Sequence, residues 1–469
     1  MNRKSKIFRI IMTMAALSLL FLQSSCGGGG GGGGGGVAGG TAGLSKENIL
    51  KTTSAVRKWT FVIYMAADNE LEYEAMRNIN QLEGVASIAH PDIAVLVLLD
   101  RSPGYDSTDG DWSDTRLYEI VPDSNGINSA VVSKRLACPA LEITEDGTKE
   151  LDMSDWRTLN AVLSFANSEY PAEKTALIMW GHGTGWRSSG SSSASRAFAI
   201  DDTSGGSMPI TLLKNAASGK NLSFIGFDTC FSALLETSYE LKDCCQYVAG
   251  TPGLAPADGW NYNALFTTFL NSEKTADDFM EALVSTYRSA YASVEGAGLS
   301  VISSAKVQNT FDKFEAFAGE LAGCIDSAAI RNGLLGFIFE RVSYYGANSY
   351  PSDYFLDVND FAVQIKNKIS DYTTDAAKIA AVTDACNELS QAVSQTVIKS
   401  WNQKGIANPI GVHLIPLTGF KVPASRHSEA YTKGTAEPNK PQFVLDSVNY
   451  VPSQPLSSSL LDKLFYYSF

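Results

Sequence analysis

The sequence has little positive charge. Its 469 residues include 37 Lys and Arg against 50 Asp and Glu, which gives a formal net charge of −13. A protein that binds nucleic acid needs a basic surface to meet the phosphates. The charge balance therefore excludes nucleic acid as the expected partner. The 44% of hydrophobic residues and 19% of charged residues are typical of a folded globular protein.

Several catalytic and metal-binding motifs are also missing. The chain has no Gly-Lys-Ser/Thr phosphate loop and no Gly-x-Ser-x-Gly elbow. The stretch "GHGTGW" is not a Gly-x-Gly-x-x-Gly motif, because Trp186 occupies the third glycine position. The 7 cysteines have neither the spacing of a zinc site nor that of a dense disulfide framework. We therefore expect no required cofactor and no metal site.

One acidic loop carries oxygen ligands of the kind that calcium prefers. Its aspartates are Asp106, Asp109, Asp111 and Asp114. Their spacing does not match an EF-hand loop. We therefore expect a solvated loop, with calcium binding possible but not indicated.

The N-terminus has the pattern of an export signal. Basic "MNRKSKIFR" precedes the apolar run "IIMTMAALSLLFL", which is short for a transmembrane helix. The following "LQSSC" resembles a bacterial lipoprotein box, and glycines 27–36 would form a flexible tether after a lipid on Cys26. We expect residues 1–25 to be a signal peptide and 26–57 a lipid-anchored linker. The protein would be exported and held at the bacterial membrane, with the cell surface as one destination. Ordinary secretion with cleavage near Ser25 is the alternative.

Nearly all-apolar strands separated by helices follow the linker. They are "WTFVIYMAA" (59–67), "IAVLVLLD" (93–100), "KTALIMW" (174–180) and "NLSFIGFDTC" (221–230). Such strands are typical of a parallel sheet with helices on both faces. Amphipathic helices are predicted later in the chain, at 306–324 and 375–401. We predict an α/β core over residues 58–303 with a mostly parallel sheet flanked by helices. A helix-rich C-terminal region, 304–469, would pack against it.

Two of these strands end in residues that can carry chemistry. One runs into "GHG", which contains His182, and another ends in "DTC", which contains Cys230. In open α/β sheets, functional groups collect beyond the carboxyl ends of the strands. If the two strands are neighbours, His182 and Cys230 face each other at that edge.

This pair predicts nucleophilic catalysis. Residues 231–243 have helical periodicity, and a thiol at the start of a helix would be favoured as thiolate by the helix dipole. His182 would act as general acid and base toward Cys230. The N–H groups of Gly183 and Cys230 would bind an oxyanion.

Each of these residues also has an ordinary structural explanation. A single cysteine at a helix start is often a small core residue, and a histidine beside glycine is often held by structural hydrogen bonds. The occurrence of both at strand ends favours the catalytic hypothesis. His90, His413 and His427 have no such partner and are expected to be ordinary residues.

The motifs "ALIMWGHGTGW" and "FIGFDTCFSALLE" resemble the clostripain family of cysteine peptidases, within the caspase-like group. Further similarity lies in "WTFVIYMAADNELE", "AIDDTSGGSMPITLL", "ADGWNY" and "FLDVNDFAVQI", so the resemblance covers most of residues 58–420. It implies a caspase-like fold, a Cys–His dyad and frequent activation by self-cleavage. The implied substrates are peptides or proteins with Arg or Lys before the scissile bond.

The resemblance also assigns roles to single residues. It makes Cys230 the nucleophile and His182 the acid and base. Asp228 would lie at the base of the specificity pocket and pair with the substrate cation, and a dry carboxylate suits that role. Capping of the helix predicted at 231–243 is the alternative for Asp228. Asp258 is a second acidic candidate near the pocket.

A serine-rich loop after His182 is the predicted site of self-cleavage. The loop, "RSSGSSSASR" (187–196), has no apolar periodicity, and we expect the cut between Arg196 and Ala197. Arg187 is the other basic residue in the loop. A plain surface loop is the alternative.

Two other functions stay open at this point. One is a thiol hydrolase or acyltransferase of other specificity on a similar sheet. The other is a non-enzymatic surface lipoprotein that uses the fold for binding, which would need neither His182 nor Cys230.

Overall fold

The computed structural model describes residues 56–185, 198–345 and 354–415 together with Leu460, all within the unit Ala55–Phe469. The strands are β1 (Arg57–Ala67), β2 (Ile93–Arg101), β3 (Thr115–Glu119), β4 (Lys134–Arg135), β5 (Ala172–Trp180), β6 (Phe198–Asp201), β7 (Gly206–Met208), β8 (Leu222–Asp228), β9 (Cys245–Gly250), β10 (Gly298–Ser303), β11 (Tyr344–Tyr345), β12 (Tyr354–Asp357), β13 (Val397–Asn402) and β14 (Gly411–Ile415).

Helices alternate with these strands through most of the chain. They are α1 (Glu72–Glu83), α2 (Trp156–Glu169), α3 (Ile210–Ala217), α4 (Leu235–Leu241), α5 (Tyr262–Leu270), α6 (Ala276–Tyr291), α7 (Ser304–Gly323), α8 (Ala328–Arg341), α9 (Val358–Lys368) and α10 (Ala376–Thr396). Within the described ranges, none of the helices has the length and apolar character needed to cross a membrane.

A nine-stranded sheet forms the centre of the protein. Its strand order is β13-β10-β9-β8-β5-β1-β2-β3-β4. The five strands from β9 to β2 are parallel, and antiparallel strands extend the sheet at both edges. The predicted α/β fold with a mostly parallel sheet flanked by helices is confirmed.

Both faces of the sheet are covered, which explains why its central strands are apolar throughout. In β1, alternate residues enter opposite cores: Phe61 and Ile63 face one core, and Val62 and Tyr64 face the other. In a parallel sheet whose two faces are both covered, the side chains on both sides of each strand are buried away from water. This double burial fixes the rigid strand ends from which the functional residues project.

The C-terminal part of the chain contributes both helices and strands. The helix predicted over 375–401 ends at Thr396, and Val397–Asn402 instead forms β13, which pairs antiparallel with β10 at the sheet edge. The β-branched pair at Val397 and Ile398 and the aromatic Trp401 suit a strand better than a helix. The boundary predicted between residues 303 and 304 stays a prediction.

Candidate active site

The carboxyl ends of the parallel strands meet at one edge of the sheet. Met65, near the end of β1, is opposite Trp180, the last residue of β5. Trp180 is in turn opposite Asp228, the last residue of β8. The segments that carry His182 and Cys230 therefore leave the sheet side by side, from neighbouring strands.

Glycines shape the turn that carries His182. Gly181 has a φ of +129°, and a β-carbon there would lie 2.7 Å from the carbonyl oxygen of Ala66. At Gly183, a β-carbon would lie 2.6 Å from Thr229 Oγ1 and would overlap the carbonyl oxygen of Cys230. The missing side chain at Gly183 thus lets the backbone beside His182 lie directly against the backbone of Cys230.

His182 contacts a carboxylate that the sequence did not single out. Its Nε2 lies 3.2 Å from Oε1 of Glu70, and the His182 side chain is 30% exposed. Glu70 belongs to the loop after β1, which Asn69 holds in place by donating from Nδ2 to the carbonyls of Ala66 and Ile200. Sequence spacing carries no signal for this pair, because the two loops meet only when β1 and β5 become neighbours.

Cys230 lies in a loop and not at the start of a helix. The helix predicted over 231–243 begins only at Leu235, so the expected dipole stabilisation of a thiolate is wrong. The N–H groups of residues 231, 232 and 233 donate to the carbonyls of Gly253 and Thr251 and are not available for helical turns. Phe231 has a φ of +50°, which is a strained conformation for a large side chain and is typical of functional sites.

The Cys230 thiol is accessible but not acidic. It is partly exposed, whereas the other cysteines among the described residues are buried. Burial is the main cause that raises the pKa of Cys230, while the N–H of Ala255, 3.2 Å from Sγ, opposes the rise. Within the described ranges no hydrogen bond joins Sγ to His182. The resting group is therefore a protonated thiol that needs a base.

Asp228 is a buried carboxylate with few donors. Its Oδ2 accepts from the N–H of Trp260 at 2.8 Å and from the hydroxyl of Tyr262 at 3.1 Å. Burial raises its pKa to about 7, against the lowering effect of these two donors. Asp228 does not cap α4, whose N-cap residue is Leu234.

Asp258 lies on the loop that covers Asp228. The next residue, Gly259, has a φ of +68°, and a β-carbon there would lie 2.7 Å from Asp228 Oδ2. The side chain of Asp258 is 60% exposed and forms a salt bridge of 2.5 Å with Arg77. The structure thus places the two predicted acids, Asp228 and Asp258, close together. Asp258, however, already pairs with the cation of Arg77.

The acidic loop at 106–114 is partly solvated: Asp111 is exposed, as expected, and Asp109 is partly exposed. Asp106 and Asp114 are buried. Asp106 accepts from the N–H of Thr108 at 3.1 Å, and Asp114 pairs with Arg116 at 2.9 Å. Asp109 accepts from the indole N–H of Trp112 at 3.0 Å. These aspartates serve to fold the loop on itself.

Three predicted functional residues lie outside the described residues. They are Cys26, Arg196 and Ala197. Phe198, the first described residue after them, pairs with Gly183. Phe198 therefore lies next to the backbone that touches Cys230.

Similarity to known proteins bears on this arrangement. The sequence profile of the clostripain family matches residues 63–414. Clostripain from Hathewaya histolytica is 28% identical over 218 residues, which cover 42% of this chain and 40% of that protein. The match thus spans less than half the length of that relative.

Solved structures show the same fold. A secreted C11 cysteine protease from Bacteroides thetaiotaomicron, in complex with an irreversible peptide inhibitor, is 18% identical with a TM-score of 0.54; the match covers 77% of this chain and 94% of that one. An inactive zymogen C11 protease from Parabacteroides distasonis is 18% identical with a TM-score of 0.53, over 76% of this chain and 92% of that one.

The fold, with a cysteine and a histidine at adjacent strand ends, defines a caspase-like cysteine peptidase as the class of protein. Within that class, the chain belongs to the clostripain family.

Proposed function

We propose that the protein is an endopeptidase that uses Cys230 and His182 to cleave peptide or protein chains after Arg or Lys. One observation carries the proposal. Cys230 is the only described cysteine that is not buried, and it lies where the backbone of Gly183, next to His182, touches its own.

The raised pKa of Cys230 defines the task of His182. Because the resting thiol is protonated, His182 must take the thiol proton as the sulfur attacks the substrate carbonyl. The imidazolium then gives that proton to the leaving amine, and a thioester remains on Cys230. Water attacks the thioester with His182 as base, which releases the acid product and restores the thiol.

Glu70 would position the imidazole for these steps. Its carboxylate oxygen Oε1 is 3.2 Å from Nε2 of His182, which leaves Nδ1 for the proton exchanged with Cys230. A carboxylate in this position also stabilises the imidazolium formed during attack. The two nitrogens thus have separate partners.

The developing oxyanion would be bound by the N–H groups of Cys230 and Gly183. The amides of residues 231–233 donate to residues of the 251–253 segment. Among the described residues, the N–H of Cys230 has no acceptor and so is free for a substrate oxygen. A preorganised donor of this kind stabilises the tetrahedral intermediate.

Asp228 would supply the preference for basic residues. It lies two positions before Cys230 and is buried without a cationic partner among the described residues. A guanidinium or ammonium group entering this site would compensate a carboxylate that the protein leaves underpaired. Clostripain, the relative matched over part of its length, belongs to the same family.

The central experiment measures turnover of matched fluorogenic peptides that end in Arg, Lys, Asp or Leu. We expect turnover of the Arg and Lys peptides by the wild type and none by Cys230→Ala or His182→Ala, with melting temperatures unchanged. Cys244→Ala, which removes a buried thiol, is the matched control and should keep full activity. Activity retained in Cys230→Ala, or equal cleavage after Asp or Leu, would contradict the proposal.

We further propose that the mature chain carries a lipid on Cys26 and is held at the membrane. The support is the order of the N-terminal segments: an export signal, a cysteine and a glycine tether. Detergent partitioning and mass spectrometry of the N-terminus test this. Cys26→Ser should be soluble or unprocessed, and an unmodified N-terminus beyond Cys26 in the wild type would contradict the anchor.

A further inference from the structure

A small second sheet contacts the loop that carries Cys230. It consists of β11, β12 and β14, and β12 is its central strand. The N–H of Gly411, the first residue of β14, donates to the carbonyl of Ala233 at 3.0 Å. In β12, Phe355 pairs with a residue of each neighbouring strand. The C-terminal part of the chain therefore brings a residue in a fixed position close to the Cys230 loop.

Phe355 packs against both of the loops that carry the peptidase residues. Its ring stacks on the ring of Phe231, with 5.0 Å between the ring centroids and 27° between the ring planes. On the other loop, a β-carbon at Gly185 would lie 3.1 Å from Phe355 Cζ. Phe231 directly follows Cys230, and Gly185 follows His182 by three positions. One buried side chain, 2% exposed, thus contacts both segments.

Phe231 needs support because its backbone is strained. Its φ of +50° lies in the left-handed region, which a residue with a β-carbon rarely adopts. The N–H of Phe231 donates to the carbonyl of Gly253 at 2.7 Å. A relaxed φ would rotate the peptide between Cys230 and Phe231 relative to the residues that follow it, and would so move Cys230. The stack on Phe355 opposes this relaxation.

Hydrogen bonds around Asp357 fix the strand that carries Phe355. Asp357 Oδ2 accepts from the hydroxyl of Tyr345 at 2.8 Å, and Oδ1 accepts from an N–H in the first turn of α9 at 2.8 Å. Tyr345 also packs beside Gly253, where a β-carbon would lie 3.4 Å from Tyr345 Cβ. The small sheet therefore supports both the ring of Phe231 and the carbonyl that its N–H binds.

We propose that Phe355 is a positioning residue of the peptidase, which holds Phe231 in its left-handed conformation and thereby keeps Cys230 against the turn that carries His182. The inference rests on the proposed function, because it concerns the alignment of the two peptidase residues. The substitution Phe231→Gly leaves a backbone that adopts this φ without support. The effect of Phe355 on catalysis should therefore disappear in Phe231→Gly, which a general packing role does not predict.

The first measurement is turnover of a fluorogenic Arg peptide by the full chain, at a temperature well below the melting point of every variant. Phe355→Leu keeps an apolar side chain at this buried position and removes the ring. It should lower kcat by about tenfold and leave KM unchanged. In the Phe231→Gly background, the same substitution should change kcat by less than about twofold. Phe361→Leu removes a buried ring of α9 that packs on Phe317; it is the matched control and should keep its kcat.

The second measurement does not need peptidase activity. Iodoacetamide alkylates Cys230 at a rate that is followed by mass spectrometry of the peptide containing it. Burial is the main cause that raises the pKa of Cys230, and it also limits access to Sγ. A loosened loop should react faster, so we expect Phe355→Leu to be alkylated several times faster than the wild type. Phe231→Gly should react at the same rate with and without Phe355→Leu, and Phe361→Leu should react as the wild type does.

An unchanged alkylation rate in Phe355→Leu, or an unchanged kcat in an active enzyme, would overturn the proposal. An equal effect of Phe355→Leu in both backgrounds would also overturn it, because the ring would then not act through Phe231. An equally large effect of Phe361→Leu would assign the result to a general loss of packing and would contradict a positioning role. If the wild type cleaves none of the peptides, the proposed function is contradicted, and the alkylation rates alone decide this inference.

Discussion

The burial of Asp228 and its proposed role in substrate binding favour opposite charge states of its carboxylate. Its burial between β5 and the loop at Gly259 makes its charge costly, while the proposed function needs that charge for a basic substrate. Because burial raises the pKa of Asp228 to about 7, the charge of its carboxylate changes near neutral pH. The substitution Asp228→Asn tests the effect of this charge on stability and on binding of a cation.

The first prediction concerns stability. The folded protein retains a proton on Asp228 up to pH 7, whereas the unfolded chain loses it near the ordinary pKa of 3.8. The folded state thus binds more protons, and its stability falls as pH rises from about 4 to about 7. Asp228→Asn removes this loss, so its melting temperature relative to the wild type should rise between pH 4 and pH 8. A difference that is constant with pH would show that Asp228 titrates normally.

The second prediction concerns the substrate cation. Agmatine, a guanidinium probe, should bind Cys230→Ala more tightly as pH rises through 7, because Asp228 becomes charged. The double variant with Asp228→Asn should bind it at least about tenfold more weakly at pH 8, without that pH dependence. Titration calorimetry of both proteins provides the measurement. Equal affinity of the two proteins for agmatine would show that Asp228 does not bind the substrate cation.

Glu70 shows why a single residue can escape sequence analysis. His182 and Cys230 were found because each follows an apolar strand, which marks its position in the fold. Glu70 lies in a loop before α1, among other acids, and its contact with His182 depends on the neighbouring positions of β1 and β5.

The third prediction tests the positioning role of Glu70. Glu70→Ala should lower kcat by about tenfold while KM stays unchanged, because the imidazole is oriented less well and the substrate site is intact. Glu70→Gln, which keeps an oxygen for the ring N–H, should restore most of the activity. Steady-state kinetics at fixed pH checks both variants. A rise in KM alone, or no recovery in the glutamine variant, would point to a different role.

At the scale of elements, the buried strands were predictable and the loop at Cys230 was not. The strands β1, β2, β5 and β8 are continuous apolar runs because both faces of the sheet are covered. Residues 231–234 follow a helical pattern, yet the amides of residues 231–233 donate to the 251–253 segment. That competition is set by tertiary contacts, which local periodicity does not report.

The fourth prediction concerns the turn after β5. Gly183→Ala should reduce turnover by about a hundredfold, because the added methyl group overlaps the carbonyl of Cys230 and displaces the dyad. Gly336→Ala is the matched control: no atom lies within 4 Å of its added β-carbon, and it lies inside α8. The control should keep its activity and gain up to about 1 kcal/mol of stability from better helix propensity. Full activity in Gly183→Ala would mean that the close backbone approach is not needed.

At the scale of the whole molecule, the position of β6 bears on the predicted self-cleavage. Phe198 pairs with Gly183, and Arg196 precedes Phe198 by two positions. We expect a basic residue this near in sequence to Phe198 to have a high effective concentration at the pocket proposed around Asp228. Self-cleavage between Arg196 and Ala197 stays a prediction, and the pairing of Phe198 with Gly183 is the observation that motivates its test.

The last prediction is that the enzyme cuts itself between Arg196 and Ala197 and that the uncut loop restrains activity. Purified wild type should appear as two chains, with a new N-terminus at Ala197, whereas Cys230→Ala should stay as one chain. Arg196→Gln should remain uncut and less active on small Arg peptides, because its loop stays joined beside the pocket. Arg187→Gln removes the same charge at the other end of the loop and should be cut normally. N-terminal sequencing of the four proteins locates the cut, and turnover of small Arg peptides measures their activity. Equal nicking of Cys230→Ala would indicate a contaminating protease. A fully active, uncut Arg196→Gln would show that the uncut loop does not restrain activity.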